Sequence, residues 1–321
     1  MRPEEANAQN AQQASPGVSI VLMTCNGMPE VADCLDMLAR QDWPGPVEVV
    51  HIDSGSTDGT LDAAARHGLE THHIAPESFH HARTRNLGAD RAAHGIVVYL
   101  SQDAVPTDTR WLAHLVAPFS DPAVAAVNGR QIAPPGTRPL RAYAMEWTYG
   151  PRPARKRLAD MPVRTVGSYR FSNVNAAWRR ALVCRIRFDE HAPMSEDVAM
   201  AHELLHAGHT LVYEPRAAVY HAHDRGFRDE FVWAVDNGIA LKRIGILGDP
   251  ELKGELRYGL KRMGDEFLHF LGRGRGLLAL QSLAYSGARW MGVQLGKREE
   301  RLPAKLLCRV SNIARREAQQ G

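Results

Sequence analysis

Several carboxylates, imidazoles and amides in this chain stand where a polypeptide can turn them toward one ligand. Asp53 closes the apolar run Val47-Glu48-Val49-Val50-His51-Ile52, and Asp103 follows Ile96-Val97-Val98-Tyr99-Leu100 after only Ser101 and Gln102. The turn Asp53-Ser54-Gly55-Ser56-Thr57-Asp58-Gly59-Thr60 offers hydroxyls, carboxylates and backbone amides to a sugar or a nucleotide. Asp103 offers a hard oxygen of the kind Mg2+ or Mn2+ prefers. His221 and His223 flank Ala222 just past an apolar run, and period-two alternation would send both imidazoles to one face. They either join Asp103 around a metal or pack as ordinary polar side chains. Glu196 and Asp197 follow Ser195, read as a helix N-cap. The acidic pair either compensates the helix dipole or supplies a base for an attacking hydroxyl. Arg83 and Arg85 are two apart on a helix and face different ways. Arg83 is read as a solvated charge, and Arg85-Asn86 as closer to the strand ends. In Phe171-Ser172-Asn173-Val174-Asn175, the neutral groups of Ser172, Asn173 and Asn175 suit a hydroxyl-rich ligand.

Short β-branched runs bounded by turn residues read as buried parallel strands, and ligands of open α/β sheets bind beyond the carboxyl ends of such strands. Two aspartates at two such ends therefore imply one site. Strands are expected at 18–23, 47–53, 69–74 and 96–100, alternating with helices at 29–40, 59–67 and 82–93. Gly68 would terminate the second helix. This alternation is the mark of a right-handed βαβ series. A helix at 108–119 and a strand at 124–130 follow. Residues 134–167 then carry six prolines and the basic cluster Arg152, Arg155, Lys156 and Arg157, a long excursion with one short helix near 140–147. Regularity returns at 171–176, with a helix at 196–207 and strands at 210–213 and 218–221. From Gly226 onward the chain reads as helices.

With 321 residues, 44% of them hydrophobic, the chain can bury a substantial core. The net charge of +3 hides an asymmetry: residues 241–321 hold 16 Lys and Arg against 8 Asp and Glu, while residues 1–240 are net negative. Cys25, Cys34, Cys184 and Cys308 lack any paired or zinc-type spacing, which fits packing roles in a reducing compartment. Residues 1–16 are polar and expected to be disordered, with no apolar stretch like that of a secretory signal. No run approaches the roughly 20 apolar residues of a membrane span. The expected location is the cytoplasm, or the inner face of the cytoplasmic membrane as a peripheral protein.

These residues, in this order, match a known pattern. The segments VSIVLMTCNG, VEVVHIDSGSTDGT, FHHARTRNLGA, VVYLSQDAVP, FSNVNAAWRR, SEDVAMAHELLHAGH and VYHAH resemble the inverting family 2 glycosyltransferases of the GT-A fold, and within them the bacterial rhamnosyltransferases. The resemblance implies an α/β protein: a mostly parallel GT-A sheet flanked by helices over residues 17–240, with a basic helical extension at 241–321. It implies a donor site of Thr24, Asn26, Asp53, Ser54, Arg85, Asn86 and Gln102, with Asp53 on the base or ribose. Ser172, Asn173 and Asn175 would meet the acceptor or sugar. Asp103, His221 and His223 would hold Mg2+ or Mn2+, and Asp197 would be the base, with Glu196 beside it. Where many relatives have Asp-x-Asp, this chain has Ser101-Gln102-Asp103. The implied reaction is metal-dependent transfer of a sugar to a hydroxyl of a saccharide or lipid-linked acceptor in bacterial surface polysaccharide or glycolipid synthesis. The donor would be dTDP-L-rhamnose, with UDP- and GDP-sugars open. An anionic membrane surface is an expected partner for the basic tail, and nucleic acid is not. The competing readings are a nucleotide-sugar-binding scaffold with a degenerate fold and a nucleotidyltransferase, which would release pyrophosphate.

Overall fold

Val18–Thr24 (β1), Val47–Asp53 (β2), Thr71–His73 (β3) and Ile96–Ser101 (β4) pair in parallel. Their runs are apolar on both faces because both faces are covered. Ile20, Leu22, Val98 and Leu100 pack with helices Glu30–Ala39 (α1) and Thr60–Arg66 (α2), while Val21, Val97 and Tyr99 face His81–Arg91 (α3). The computed structural model describes residues 15–253 and 255–320, so the disorder expected at the N-terminus lies almost wholly outside the described residues. Gly68 closes α2 at φ 69°, the left-handed conformation that glycine adopts without steric cost.

Beyond β4 the sheet is mixed. Val105–Pro106 (β5), Val124–Ile132 (β6), Ala154–Lys156 (β7), Asn175–Arg179 (β8) and Thr210–Tyr220 (β9) give the order β3-β2-β1-β4-β8-β6-β9-β5, with β7 on β9. β8 runs antiparallel to both β4 and β6, whereas β6 and β9 are parallel. The strands expected at 210–213 and 218–221 are one strand. Glu214-Pro215-Arg216 reads as a break, yet a register shift opposite Gly129 and Arg130 absorbs the proline, which has no N–H for the ladder. A Cβ at Gly129 would run into the Ala217 carbonyl and the Asn175 amide, so the close approach at this bulge requires glycine. The regularity expected at 171–176 begins only at Asn175, as the strand β8. The third strand is trimmed to 71–73. The excursion after Pro134 holds Pro139–Thr148 as a helix and β7 as an edge strand.

The remaining helices include Trp111–Val116 (α4), Pro139–Thr148 (α5), Arg180–Ile186 (α6), Glu196–His206 (α7), Phe227–Arg243 (α8), Glu255–Leu271 (α9) and Gly276–Gly296 (α10). α8 continues through residue 240, and Leu241, Ile246 and Leu247 join the core under the sheet. The parallel register sets Thr24 beside Asp53 and Met23 beside Ser101. The ends of β1, β2 and β4 thus form one rim, and the site is built there.

Candidate active site

Two loops are stitched together at the first part of the rim. The buried Asp53 carboxylate accepts from the Gly55 and Ser56 amides at 2.9 Å each, and from the hydroxyls of Thr24 at 2.6 Å and Ser56 at 2.5 Å. Burial works to raise its pKa, but the hydrogen bonds from Ser56 and Thr24 outweigh it and hold the group below the usual carboxylate range. Thr24 also meets His51 Nε2 at 2.9 Å, and the Ser54 hydroxyl donates to the Thr24 carbonyl at 3.2 Å. Asn26 Oδ1 accepts from the Thr57 amide at 2.8 Å, and Asp58 accepts from the Met28 amide at 2.9 Å. Gln102 grips the backbone of Cys25 at both ends, accepting from its amide at 2.9 Å and donating to its carbonyl at 3.2 Å.

Asp103 follows directly on this rim. Its Oδ2 lies 3.5 Å from His221 Nε2 and 3.3 Å from His223 Nε2, and the three side chains can place one ligand atom each within 4.8 Å of one another. Oxygen and nitrogen donors around a divalent ion sit at about 2.0–2.2 Å from it, so the mutual spacing fits a shared cation. His221 is buried, and its Nδ1 faces Gln131 Oε1 at 3.0 Å. A carbonyl oxygen only accepts, so Nδ1 carries the proton and Nε2 presents a lone pair to Asp103, the arrangement that metal-binding histidines commonly have. Burial pushes the His221 pKa down to about 4 against the pull of Asp103, keeping the ring neutral. One carboxylate and two imidazoles from one side leave coordination positions open to oxygens of a ligand.

Hydrogen bonds to the adjacent residues Ser172 and Asn173 connect this cluster with the acidic pair. Gln131 Nε2 donates to the Ser172 and Tyr149 hydroxyls at 3.0 Å each, and the Asn173 amide donates to Asp197 Oδ2 at 2.9 Å. The Val198 amide donates to Asp197 Oδ1 at 2.8 Å, so each carboxylate oxygen keeps capacity for a further partner. Burial, then the neighbouring Glu196 charge, raises the Asp197 pKa to about 6. Glu196 is itself buried and ion-paired with Arg85 from α3. Ser195 does not cap the helix with its side chain; it sits at φ 62°, in the left-handed region. The acidic pair therefore opens a helix that has no side-chain cap, with both residues in its first turn.

Several expected ligand contacts are already taken within the protein. Thr24, Ser54, Asp53 and Gln102 spend their polar atoms on the two loops, so they shape the rim, and Asn26 and Thr57 are exposed on its edge. Asn86 holds the Phe188 backbone by its amide at 2.9 Å and its carbonyl at 2.9 Å. Asn175 is fully buried, bonded to Trp111 Nε1 at 3.0 Å and to the Ala217 carbonyl at 2.9 Å, and is out of reach of a sugar. Asn173 spends its Oδ1 on Trp178, but its buried Nδ2 has no partner. Arg85 belongs to Glu196, because a buried guanidinium needs a carboxylate to offset its desolvation. Arg83 pairs with Glu190 on the surface, on another face from Arg85.

Gln131, Arg141 and Arg225 carry no motif and escape sequence reasoning. Arg141 and Arg225 both depress the His221 pKa by their charge, and neither forms an ion pair among the described residues. Arg225 stacks over the Trp233 ring at 4.9 Å, and the buried Nε of Arg141 has no hydrogen-bond partner. The basic character of residues 138–157 and the position of Arg225 two residues past His223 were the available signals.

Residues 19–181 match the family model described as Glycosyl transferase family 2. The chain is 30% identical over 260 residues to the O-antigen chain rhamnosyltransferase WbaN of Salmonella anatum, covering 80% of this chain and 82% of that protein. It is 29% identical over 289 residues to RfbN, the O-antigen chain rhamnosyltransferase of Salmonella typhimurium, covering 89% and 91%. Among solved structures it resembles the mannosyltransferase PcManGT of Pyrobaculum calidifontis, determined with GDP-Man and Mn2+, at a TM-score of 0.54 and 22% identity over 89% of this chain and 81% of that one. TarS 1-349 of S. aureus with UDP gives a TM-score of 0.52 at 16% identity, over 88% and 92%. These structural likenesses are likenesses of fold.

Proposed function

The chain belongs to glycosyl transferase family 2 and has the GT-A glycosyltransferase fold, and from that premise we propose an inverting rhamnosyltransferase that uses dTDP-L-rhamnose and a saccharide or lipid-linked hydroxyl acceptor in O-antigen-type polysaccharide synthesis. The observation that carries the reading is the connection of Asp197 to the Asp103-His221-His223 cluster by hydrogen bonds to the adjacent residues Asn173 and Ser172 and through Gln131. It sets a carboxylate with a pKa near 6 on the same rim as three donors that fit a divalent cation. The likeness to two relatives named for rhamnosyl transfer supports the choice of sugar.

Asp197 takes the proton of the acceptor hydroxyl as the new bond from that oxygen to the anomeric carbon forms. The bond from the anomeric carbon to the diphosphate oxygen breaks on the opposite face, and the nucleoside diphosphate leaves with the electron pair. A divalent ion held by Asp103, His221 and His223 would neutralise charge on the diphosphate. Arg141 and Arg225, unpaired beside that cluster, offset the same charge, a role for which Arg85 is not free. Glu196 and Arg85 fix Asp197 and tune its basicity. The exposed edge of the two stitched loops receives the nucleotide.

The test is incubation with dTDP-rhamnose, UDP-sugars and GDP-sugars plus a rhamnose-containing oligosaccharide acceptor, with nucleoside diphosphate release and the product's anomeric configuration as readouts. Inverted product with dTDP supports the reading. Free pyrophosphate would identify a nucleotidyltransferase, and binding without turnover of any donor would identify a degenerate scaffold.

A further inference from the structure

Helix α10 is turned inside out. Its small residues Ala279, Ser282, Ala288, Gly292 and Gly296 are the buried ones, and Gly292 and Gly296 lie against the α8 backbone at 231–239, where any Cβ would collide. Its one charged residue, Arg289, also points inward, to Glu230 at 3.4 Å and Glu266 at 3.5 Å. Four of its large apolar side chains face out, Leu277 at 72% exposed, Leu280 at 63%, and Trp290 and Met291 at about half, while Val293 and Leu295 pack inward. The same holds for the end of α9, where Leu268 is 64% exposed and Leu271 is also exposed. α9 and α10 form a hairpin joined at 272–275, so these leucines surround its tip, together with the exposed Arg273 and Arg275.

A globular helix ordinarily buries its leucines and exposes its charges, and a contiguous exposed apolar patch marks an interaction surface. We propose that the tip of the α9–α10 hairpin inserts its leucines into the interface of an anionic phospholipid bilayer, with Arg273 and Arg275 on the lipid phosphates. Charge selects this occupant. From Phe267 to Arg298 the chain contains no Asp or Glu, against five Lys and Arg. A second copy docking tip to tip would bring basic residues together without a compensating carboxylate. Lys242 and Arg243 already pair with Glu299, Glu300 and Glu317, and Lys261 with Asp265, so these three cations of the tail are not free for this role. No helix among the described residues is long and apolar enough to cross a membrane, so the docking is interfacial. The inference stands independently of the sugar-transfer reading.

The experiment is flotation of the full chain with vesicles of phosphatidylethanolamine and phosphatidylglycerol, and with phosphatidylcholine vesicles as the neutral control. Binding should require phosphatidylglycerol and weaken as salt rises. Arg273→Gln with Arg275→Gln should weaken binding about 25-fold, because each basic residue near an anionic surface contributes about fivefold, or about 1 kcal/mol. Leu277→Ser with Leu280→Ser, both exposed and therefore harmless to folding, should abolish it while leaving transfer to a water-soluble acceptor unchanged. The proposal is overturned if the intact chain ignores anionic vesicles at low salt, if both double variants bind as the parent does, or if the leucine variant instead splits a dimer.

Discussion

Replacing Gln131 by leucine tests the assignment of the cation cluster more sharply than deleting a ligand, because Gln131 touches no ion. Gln131 is 4% exposed, and its Oε1 is the hydrogen-bond partner of His221 Nδ1. Without that acceptor the buried imidazole loses the preference that keeps its proton on Nδ1, and Nε2 is no longer reserved as a donor. Loss of such a partner costs about 10–100-fold in metal affinity, equivalent to about 1.4–2.7 kcal/mol. Gln131→Glu makes the complementary change. Its carboxylate still accepts from Nδ1, the Tyr149 and Ser172 hydroxyls turn to donate to it, and the added negative charge favours a cation. The expected order of affinity is therefore Gln131→Glu at or above the parent, and Gln131→Leu well below. Titration calorimetry with Mn2+ in the presence of nucleoside diphosphate measures both, with thermal unfolding as a check on folding. An unchanged Mn2+ affinity in a folded Gln131→Leu variant, or an equal loss in both variants, would refute the tautomer argument.

Asp197→Asn should retain nucleoside diphosphate binding and lose turnover by about 10²–10⁴-fold; near-normal turnover of the purified variant would reduce Asp197 to a helix-start residue. Because Asp197 must be ionised to act and its pKa is raised to about 6, kcat/KM should climb with pH and level off above that value, and a flat profile across it would count against the base. The stability contribution of this group has the opposite sign: it is complete below the ordinary pKa of 3.8 and is lost as pH rises through about 6. Glu196→Gln removes the repulsion that raises Asp197, so the acid limb should move to lower pH, while unfolding measurements should show a loss of about 3–5 kcal/mol from leaving buried Arg85 unpaired. EDTA should abolish transfer and Mn2+ should restore it better than Mg2+, which favours all-oxygen sites; Asp103→Ala should weaken nucleoside diphosphate binding far more than Asp58→Ala, and full activity in chelator would defeat both expectations.

The parallel half of the sheet was legible because its strands are short β-branched runs that each end in a turn, and the rim followed from their common direction. The second half was not. Glu214-Pro215-Arg216 carries the local chemistry of a break, and only the partner strand, where Gly129 makes room for a bulge, keeps β9 continuous. Asp103, His221 and His223 could be grouped because each stands at a strand end. Gln131 could not, since a glutamine inside an apolar strand looks the same in sequence whether or not it faces a histidine 90 residues away. Arg85 and Glu196 are 111 residues apart, and their pairing reverses the expected role of the arginine. Net charge identified the tail as basic but not which cations were already paired within it.

Hydrogen-bond occupancy separates the carboxylates of the rim more clearly than their position does. Asp53 is saturated by two backbone amides and two hydroxyls, Asp58 accepts three hydrogen bonds, and both sit below their ordinary pKa, so they are fixed anions that hold two loops in register. Asp103 faces two imidazoles and accepts no hydrogen bond among the described residues, and Asp197 keeps a free position on each oxygen. A carboxylate with spare capacity beside buried neutral groups gains most from a new cation or proton, and one already saturated gains least. On this ground the reacting hydroxyl belongs to Asp197 and the diphosphate to Asp103, and Asp53, for all its place at the end of the second strand, acts on both only through the loops it holds.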